Sequence, residues 1–100
     1  MSTVPVDAYV LQTLMPDLVG HDRSPSAFLV YLHLWHRTAG TRDRSVSASL
    51  AQVAEDTGLS KSAVQGALRL LKQRRLVKAE RASLTAVPVY EVLRPWVRGR

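Results

Sequence analysis

Two short helical patterns separated by a very tight turn constrain the fold of this chain more than any other feature. Ser49 can cap a first helix, and Gly58 can end it because glycine readily adopts the left-handed conformation that closes a last helical turn. Ser60 can cap a second helix, so only Leu59 separates the end of one helix from the cap of the next. Gln52, three residues after Ser49, is expected to complete a capping box at the first helix. The segment therefore predicts a helix-turn-helix.

The second helix, from Lys61 to Arg74, has one apolar and one polar face when its residues are placed about 100° apart. The apolar face is expected in the core and consists of Val64, Ala67, Leu68 and Leu71. The polar face consists of Ser62, Gln65, Gly66, Arg69 and Gln73. Glutamine can bind adenine and arginine can bind guanine in the major groove of DNA. Any exposed helix carries such residues, but the preceding turn favours DNA contact.

Two strand-like segments follow, residues 76–81 and 87–93, with residues 82–86 between them. They predict a β-hairpin in which Tyr90 and Val92 point inward. Lys78 and Arg81 are expected to face phosphate. Because residues 82–87 contain no arginine or lysine, contact with the DNA backbone is expected from the base of the hairpin rather than from its tip.

In this order, the segments resemble the helix-turn-helix and wing of bacterial winged-helix transcription regulators. The resemblance covers roughly the last two-thirds of the chain and implies that the second helix lies in the major groove while the wing touches the backbone. Many members have glycine where this chain has Arg75, which predicts a slightly different end of that helix. The predicted DNA contacts are Ser49, Ser60, Lys61, Ser62, Gln65, Arg69, Lys72, Lys78 and Arg81.

The net charge of +6 is unevenly distributed along the chain. Up to Ser60, four arginines face six acidic residues, a balance of −2. From Lys61 onward, ten basic residues face two acidic ones, a balance of +8. A basic surface attracts phosphate by counterion release. A merely solvated basic surface is the alternative, but the sign changes where the second helix begins, and this coincidence favours DNA.

Residues before the motif predict two further helices. Ser24 and Pro25 can start a helix that includes the apolar run 27–35 and ends near Gly40. Because this helix is apolar on almost every side, it is expected at the centre of the core. Val46 is expected to add a small first strand. Residues 6–15 have helical spacing, and Pro16 is expected to end that helix.

The predicted fold is mainly α with a small β-hairpin, namely a winged helix-turn-helix with a three-helix core, a wing and an extra N-terminal helix. Residues 1–20 form the helical extension, which either mediates dimerisation or covers the back of the first core helix. Residues 21–100 form the DNA-binding domain. Trp96 is expected to cap the core, and the arginines of the tail, Arg94, Arg98 and Arg100, to attract phosphate.

We expect a sequence-specific regulator of transcription, a repressor rather than an activator, that binds duplex DNA as a homodimer with two half-sites. Winged helices also serve as protein-docking modules or as DNA-binding parts of plasmid and phage replication initiators, and both remain alternatives.

Other functional classes lack sequence support. The chain has no cysteine, its apolar runs are far shorter than the roughly 20 residues of a membrane span, and its start carries no signal-peptide pattern, so a cytoplasmic protein is expected. His33 and His36 are three residues apart, but no third ligand follows at a metal-binding spacing. No pattern indicates catalysis, and we expect neither a cofactor nor a small-molecule ligand nor an enzyme.

Overall fold

Serine caps determine where the helices begin in the computed structural model, which describes residues 2–97. The hydroxyl groups of Ser24, Ser49 and Ser60 each accept a hydrogen bond from the backbone N–H three residues later, at 3.1–3.2 Å. These bonds satisfy donors that the first turn of a helix otherwise leaves free. The three helices capped in this way are α1 (Pro25–Thr38), α2 (Leu50–Thr57) and α3 (Lys61–Gln73).

The predicted capping box forms only in part. Ser49 caps α2, but the side chain of Gln52 donates to Oδ1 of Asp56 at 3.0 Å and accepts no hydrogen bond from the backbone N–H of Ser49. An amide and a carboxylate four residues apart are neighbours on a helix surface, and this pair replaces the second half of the box. The prediction for Gln52 was therefore wrong.

A left-handed residue ends each of the two helices of the helix-turn-helix. Gly58 closes α2 with φ of 79°, as predicted. After α3, Arg75 has φ of 59°, while the N–H of Leu76 bonds to the carbonyl of Leu71 at 2.9 Å and that of Arg75 to the carbonyl of Lys72 at 3.1 Å. This is a Schellman motif in which an arginine occupies the position that usually holds glycine. The helix therefore ends as it would with glycine, and the expectation that Arg75 gives a different ending was wrong.

The strands form one antiparallel sheet in the order β1-β3-β2. Val46 pairs with Tyr90 and Lys78 with Glu91, so the predicted first strand is present and the hairpin is extended to three strands. Tyr90 and Val92 are buried, which confirms their predicted inward direction. The strands are β1 (Ser45–Ser47), β2 (Val77–Glu80) and β3 (Val89–Val92).

The N-terminal helix is longer than predicted and has the wider turn of a π-helix. It consists of two segments, Val10–Leu14 and Pro16–His21. The expectation that Pro16 ends the helix was wrong, because Pro16 occupies the start of the second segment, where a missing N–H costs little. The N–H of Met15 instead reaches the carbonyl of Val10, five residues back.

α1 lies at the centre of one hydrophobic core that joins the N-terminal helix, the helix-turn-helix and the sheet. The hydroxyl group of Tyr31 donates to the carbonyl of Leu93 at 2.8 Å, which ties α1 to the end of β3. Trp96 packs against this core, stacked on Tyr9 with 4.6 Å between ring centroids, and donates to Asp7 at 3.1 Å. The predicted role of Trp96 is confirmed. The arrangement is the predicted one, with an extra N-terminal helix, a three-helix core and a wing. Within residues 2–97, no helix combines the length and apolar character that crossing a bilayer requires.

Candidate nucleic-acid interface

The two faces of α3 are separated as the sequence predicts. The four apolar residues of the predicted core face are all buried. Opposite them, the side chains of Lys61, Ser62, Gln65, Arg69 and Lys72 are exposed on one helix. A helix of 13 residues is about 20 Å long and fits the major groove of B-DNA. The exposed face therefore has the size and the donor and acceptor groups that base contact requires.

Gly66 lies in the middle of this exposed face. No heavy atom lies within 4 Å of the position that a Cβ atom would occupy there, and its φ is not positive. Neither packing within the described residues nor backbone geometry therefore requires a glycine. The smooth surface it leaves between Gln65 and Arg69 would allow close approach to another molecule.

A cleft of about 390 Å³ opens where the wing faces the beginnings of α2 and α3, and we call it the wing cleft. Three predicted DNA contacts from three separate elements line it, Ser49 before α2, Lys61 at the start of α3 and Arg81 after β2. The first amide groups of α2 have no intrahelical partner, and the N-terminal end of a helix carries partial positive charge. The wing cleft thus combines two cationic side chains with the end of a helix that favours anions.

The two cap serines can bind DNA without leaving their helices. Ser49 and Ser60 use an oxygen lone pair to accept the capping hydrogen bond. A hydroxyl group also has one hydrogen to donate, and a phosphate oxygen can accept it. The hydroxyl groups of Ser60 and Ser62 are hydrogen-bonded to each other at 3.3 Å, so one of their two hydrogens is used within the turn and the other can be donated to a phosphate oxygen.

The predicted wing residues have different surroundings. Lys78 is exposed on β2 opposite Glu91 of β3, and among the described residues it forms no ion pair within 4.0 Å. Nη1 of Arg81 donates to the carbonyl of Leu84 at 3.2 Å, so this side chain also holds the wing loop. A guanidinium group has five N–H donors, and the others remain available for phosphate.

The structure brings together some of the predicted contacts and separates others. Ser49, Lys61 and Arg81 share the wing cleft, while Lys72 lies in the last turn of α3 and Lys78 lies on β2. The cleft is also lined by Leu84 and Thr85, which the sequence analysis did not select. The composition of the loop gave no indication that it lines a cleft together with the start of α2.

Two cations that contribute to the positive half of the sequence are engaged within the fold. Arg74 was expected to be the last residue of the second helix of the helix-turn-helix, but it lies just beyond α3. Its guanidinium group binds Asp17 and Asp22 beside the N-terminal helix. A hydrogen bond from His21 and the charge of Arg74 hold the pKa of Asp22 below its usual value, against the opposing effect of burial. The guanidinium of Arg94 lies 4.0 Å from the ring centroid of Trp35. Arg98 and Arg100 lie outside the described residues.

One of the two histidines of α1, His33, lies beside Asp56 of α2. Nε2 of His33 lies 3.4 Å from Oδ2 of Asp56, and the rings of His33 and His36 are 6.4 Å apart. Burial lowers the pKa of His33, and the nearby carboxylate of Asp56 only partly opposes it. Across residues 2–97, no three histidine, aspartate or glutamate side chains are grouped as metal ligands would be.

Comparison of the chain with protein-family models, with curated proteins and with solved structures found no match. The functional interpretation therefore depends on the geometry of α3, the wing cleft and the wing.

Proposed function

We propose that this chain binds duplex DNA in the cytoplasm of a bacterium and regulates transcription, as a repressor rather than as an activator. The observation that supports the proposal best is the wing cleft, in which Ser49, Lys61 and Arg81 converge from three elements beside the exposed polar face of α3. Phosphate bound in the cleft would fix the register of the protein on the duplex, and base contacts from α3 would supply sequence preference.

Gln65 and Arg69 are the best placed residues for base contact. They are four residues apart on α3, so their Cβ atoms lie about 5–6 Å from each other on the same exposed face. Successive base pairs are about 3.4 Å apart, so the two side chains can reach adjacent or next-adjacent pairs. Glutamine would select adenine and arginine would select guanine.

An exposed apolar stripe on the N-terminal helix supports a homodimer. Leu11, Met15 and Val19 recur at every fourth residue and are exposed, with Leu11 at 48%. The adjacent side of this helix, one residue earlier in each turn, buries Val10 and Leu14 in the core, so the stripe borders the buried face and remains exposed. A two-fold dimer formed through this stripe would present two copies of α3 to an inverted repeat.

A protein-docking module is the second candidate, and the exposed apolar residues of the wing favour it. Leu84 is 91% exposed, and Val87 and Val89 are also exposed in the same part of the chain. Apolar surface of this kind is more typical of protein contact than of phosphate contact. The cationic side chains at Lys61 and Arg81 favour DNA instead.

Selection of bound duplexes from a random DNA pool at moderate salt tests the proposal. Enrichment of an inverted repeat would support a dimer that binds a specific DNA sequence. Uniform retention that weakens with salt would leave only non-specific DNA binding, and no retention would favour the docking module.

On an enriched site, Arg69→Ala should lower affinity by about 1–3 kcal/mol and relax the preference at one base pair. The control is Arg42→Ala, which removes the same charge from an exposed loop and should leave base preference unchanged. If base preference is also unchanged in Arg69→Ala, Arg69 does not read a base.

A further inference from the structure

A second cleft lies at the opposite end of the β2–β3 hairpin from the wing loop, and we call it the arginine cleft. Its volume is about 520 Å³, and Arg44, Arg75 and Arg94 line it together with Glu91. These residues come from the loop before β1, the end of α3, the segment after β3 and β3 itself. The arginine cleft shares no lining residue with the wing cleft.

The backbone at two of these arginines is in an unfavourable conformation. Arg44 and Arg75 have φ of 55° and 59°, in the left-handed region that side chains with a Cβ atom rarely occupy. Glycine would fit either position at lower conformational cost. Hydrogen bonds hold both turns, including one from the N–H of Val92 to the carbonyl of Arg44 at 3.0 Å. Strained residues of this kind concentrate at sites that clamp a ligand.

Two of the three guanidinium groups lack an ion pair within the described residues. Among residues 2–97, no carboxylate lies within 4.0 Å of Arg44 or Arg75. Arg94 lies 3.9 Å from Asp7, and its Nε is buried without a hydrogen-bond partner in the described part of the chain. Glu91 is the one acidic residue lining the arginine cleft, which leaves a net charge of +2 there.

Contacts within the fold hold Arg94 in place. Its guanidinium carbon lies 4.0 Å from the centroid of the Trp35 ring, and the preceding residue, Leu93, bonds through its carbonyl to Tyr31 and through its N–H to Leu76. A cationic group fixed before its ligand arrives loses little conformational freedom on binding. The guanidinium fork matches the geometry of phosphate oxygens.

We propose that the arginine cleft binds a small molecule that carries phosphate groups. Its volume lies within the range of small-molecule sites. A phosphate of the DNA bound by α3 is a poorer candidate, because the length of α3, about 20 Å, separates Lys61 from Arg75 and the wing loop lies at the far end of the hairpin. The proposal concerns the protein without DNA and does not depend on the function proposed above.

Titration of the full chain with inorganic pyrophosphate, at constant ionic strength and without DNA, tests this proposal. Backbone amide chemical shifts are followed by NMR, and saturable shifts are expected around Arg44, Arg75 and Arg94. In Arg44→Gly and Arg75→Gly, the side chain is lost while the backbone conformation becomes easier to adopt, so both variants should fold. Each should weaken pyrophosphate binding about tenfold or more, the usual effect of losing a charge-assisted hydrogen bond.

Arg23→Gly is the matched control. Arg23 is the third residue other than glycine with positive φ among the described residues, and it does not line the arginine cleft. It should bind pyrophosphate as the wild type does. Any of four results would overturn the proposal. Pyrophosphate binding could be weakened equally in Arg23→Gly, or it could be unchanged in the two cleft variants. The chemical shift changes could be centred on the wing cleft, or they could fail to saturate.

A second measurement separates the two sources of phosphate. Affinity for duplex DNA should be the same in Arg44→Gly, Arg75→Gly and Arg23→Gly at a fixed salt concentration. If the two cleft variants alone lose DNA affinity, the arginine cleft holds a phosphate of the DNA backbone and the small-molecule proposal is wrong.

Discussion

Replacement of Gly66 by alanine should strengthen the fold and weaken DNA binding at the same time. Gly66 is exposed in the middle of α3, and an added Cβ atom would meet no heavy atom within 4 Å. The substitution therefore adds helix propensity without a steric cost in the free protein. Alanine is about 1 kcal/mol more favourable than glycine in a helix interior. For a chain of this size, that corresponds to an increase in Tm of about 4–8 °C.

The same methyl group would project from the face that is proposed to enter the major groove. It lies between Gln65 and Arg69, so it would meet a base edge or the sugar-phosphate backbone if α3 approaches closely there. Loss of DNA affinity together with a gain in stability cannot be explained by damage to the fold. Thermal unfolding of the free protein and DNA affinity at one fixed salt concentration measure the two effects separately.

Gly20→Ala provides the control for both measurements. Gly20 also lies in a helix, and no heavy atom lies within 4 Å of its potential Cβ atom, but it belongs to the N-terminal helix. It should leave DNA affinity unchanged. A lower Tm in Gly66→Ala would contradict the expected gain in helix propensity, and equal DNA affinity in the two variants would refute close approach at Gly66.

Three further substitutions have definite expected outcomes. Arg75→Gly should raise the free energy of unfolding, measured with urea, by about 0.5–1 kcal/mol, because relief of left-handed strain exceeds the entropic cost of glycine. A decrease would mean that the side chain of Arg75 stabilises the fold. Lys78→Ala should weaken binding to all duplexes alike and make the slope of log affinity against log salt concentration shallower by about one unit. A filter or fluorescence titration measures both effects, and a sequence-dependent loss of affinity would contradict a phosphate contact. His33 has a folded pKa below its ordinary value of 6.5, so its contribution to stability is complete above that pH and is lost as the pH falls towards the folded pKa. His33→Gln should therefore flatten the dependence of Tm on pH below about 6.5, and an unchanged slope would show that His33 does not cause that dependence.

Local chemistry explains why the helix-turn-helix was predictable from sequence. Ser49 and Ser60 cap helices through hydrogen bonds to residues three positions away, and Gly58 closes a turn through its own φ angle. None of these interactions needs a distant partner. The buried face of α3 was also predictable, because helical periodicity alone separates its apolar and polar residues.

The features that the sequence did not predict depend on contacts between distant residues or on uncommon backbone geometry. Pro16 begins a second π-helical segment, although proline usually indicates the end of a helix. Arg74 binds Asp17 and Asp22, more than 50 residues earlier in the chain. The arginine cleft joins residues from positions 44, 75 and 94, and no local pattern connects them.

These distant contacts change the meaning of the positive second half of the sequence. A charge count treats every cation after Ser60 as available to DNA, but the fold distributes these cations among different places. Arg74 neutralises carboxylates beside the N-terminal helix, while Arg75 and Arg94 line the arginine cleft. Lys61 and Arg81 line the wing cleft. Since counterion release depends on the number of phosphates that are contacted, the salt dependence of DNA binding should reflect the cations near α3 and the wing rather than the total charge.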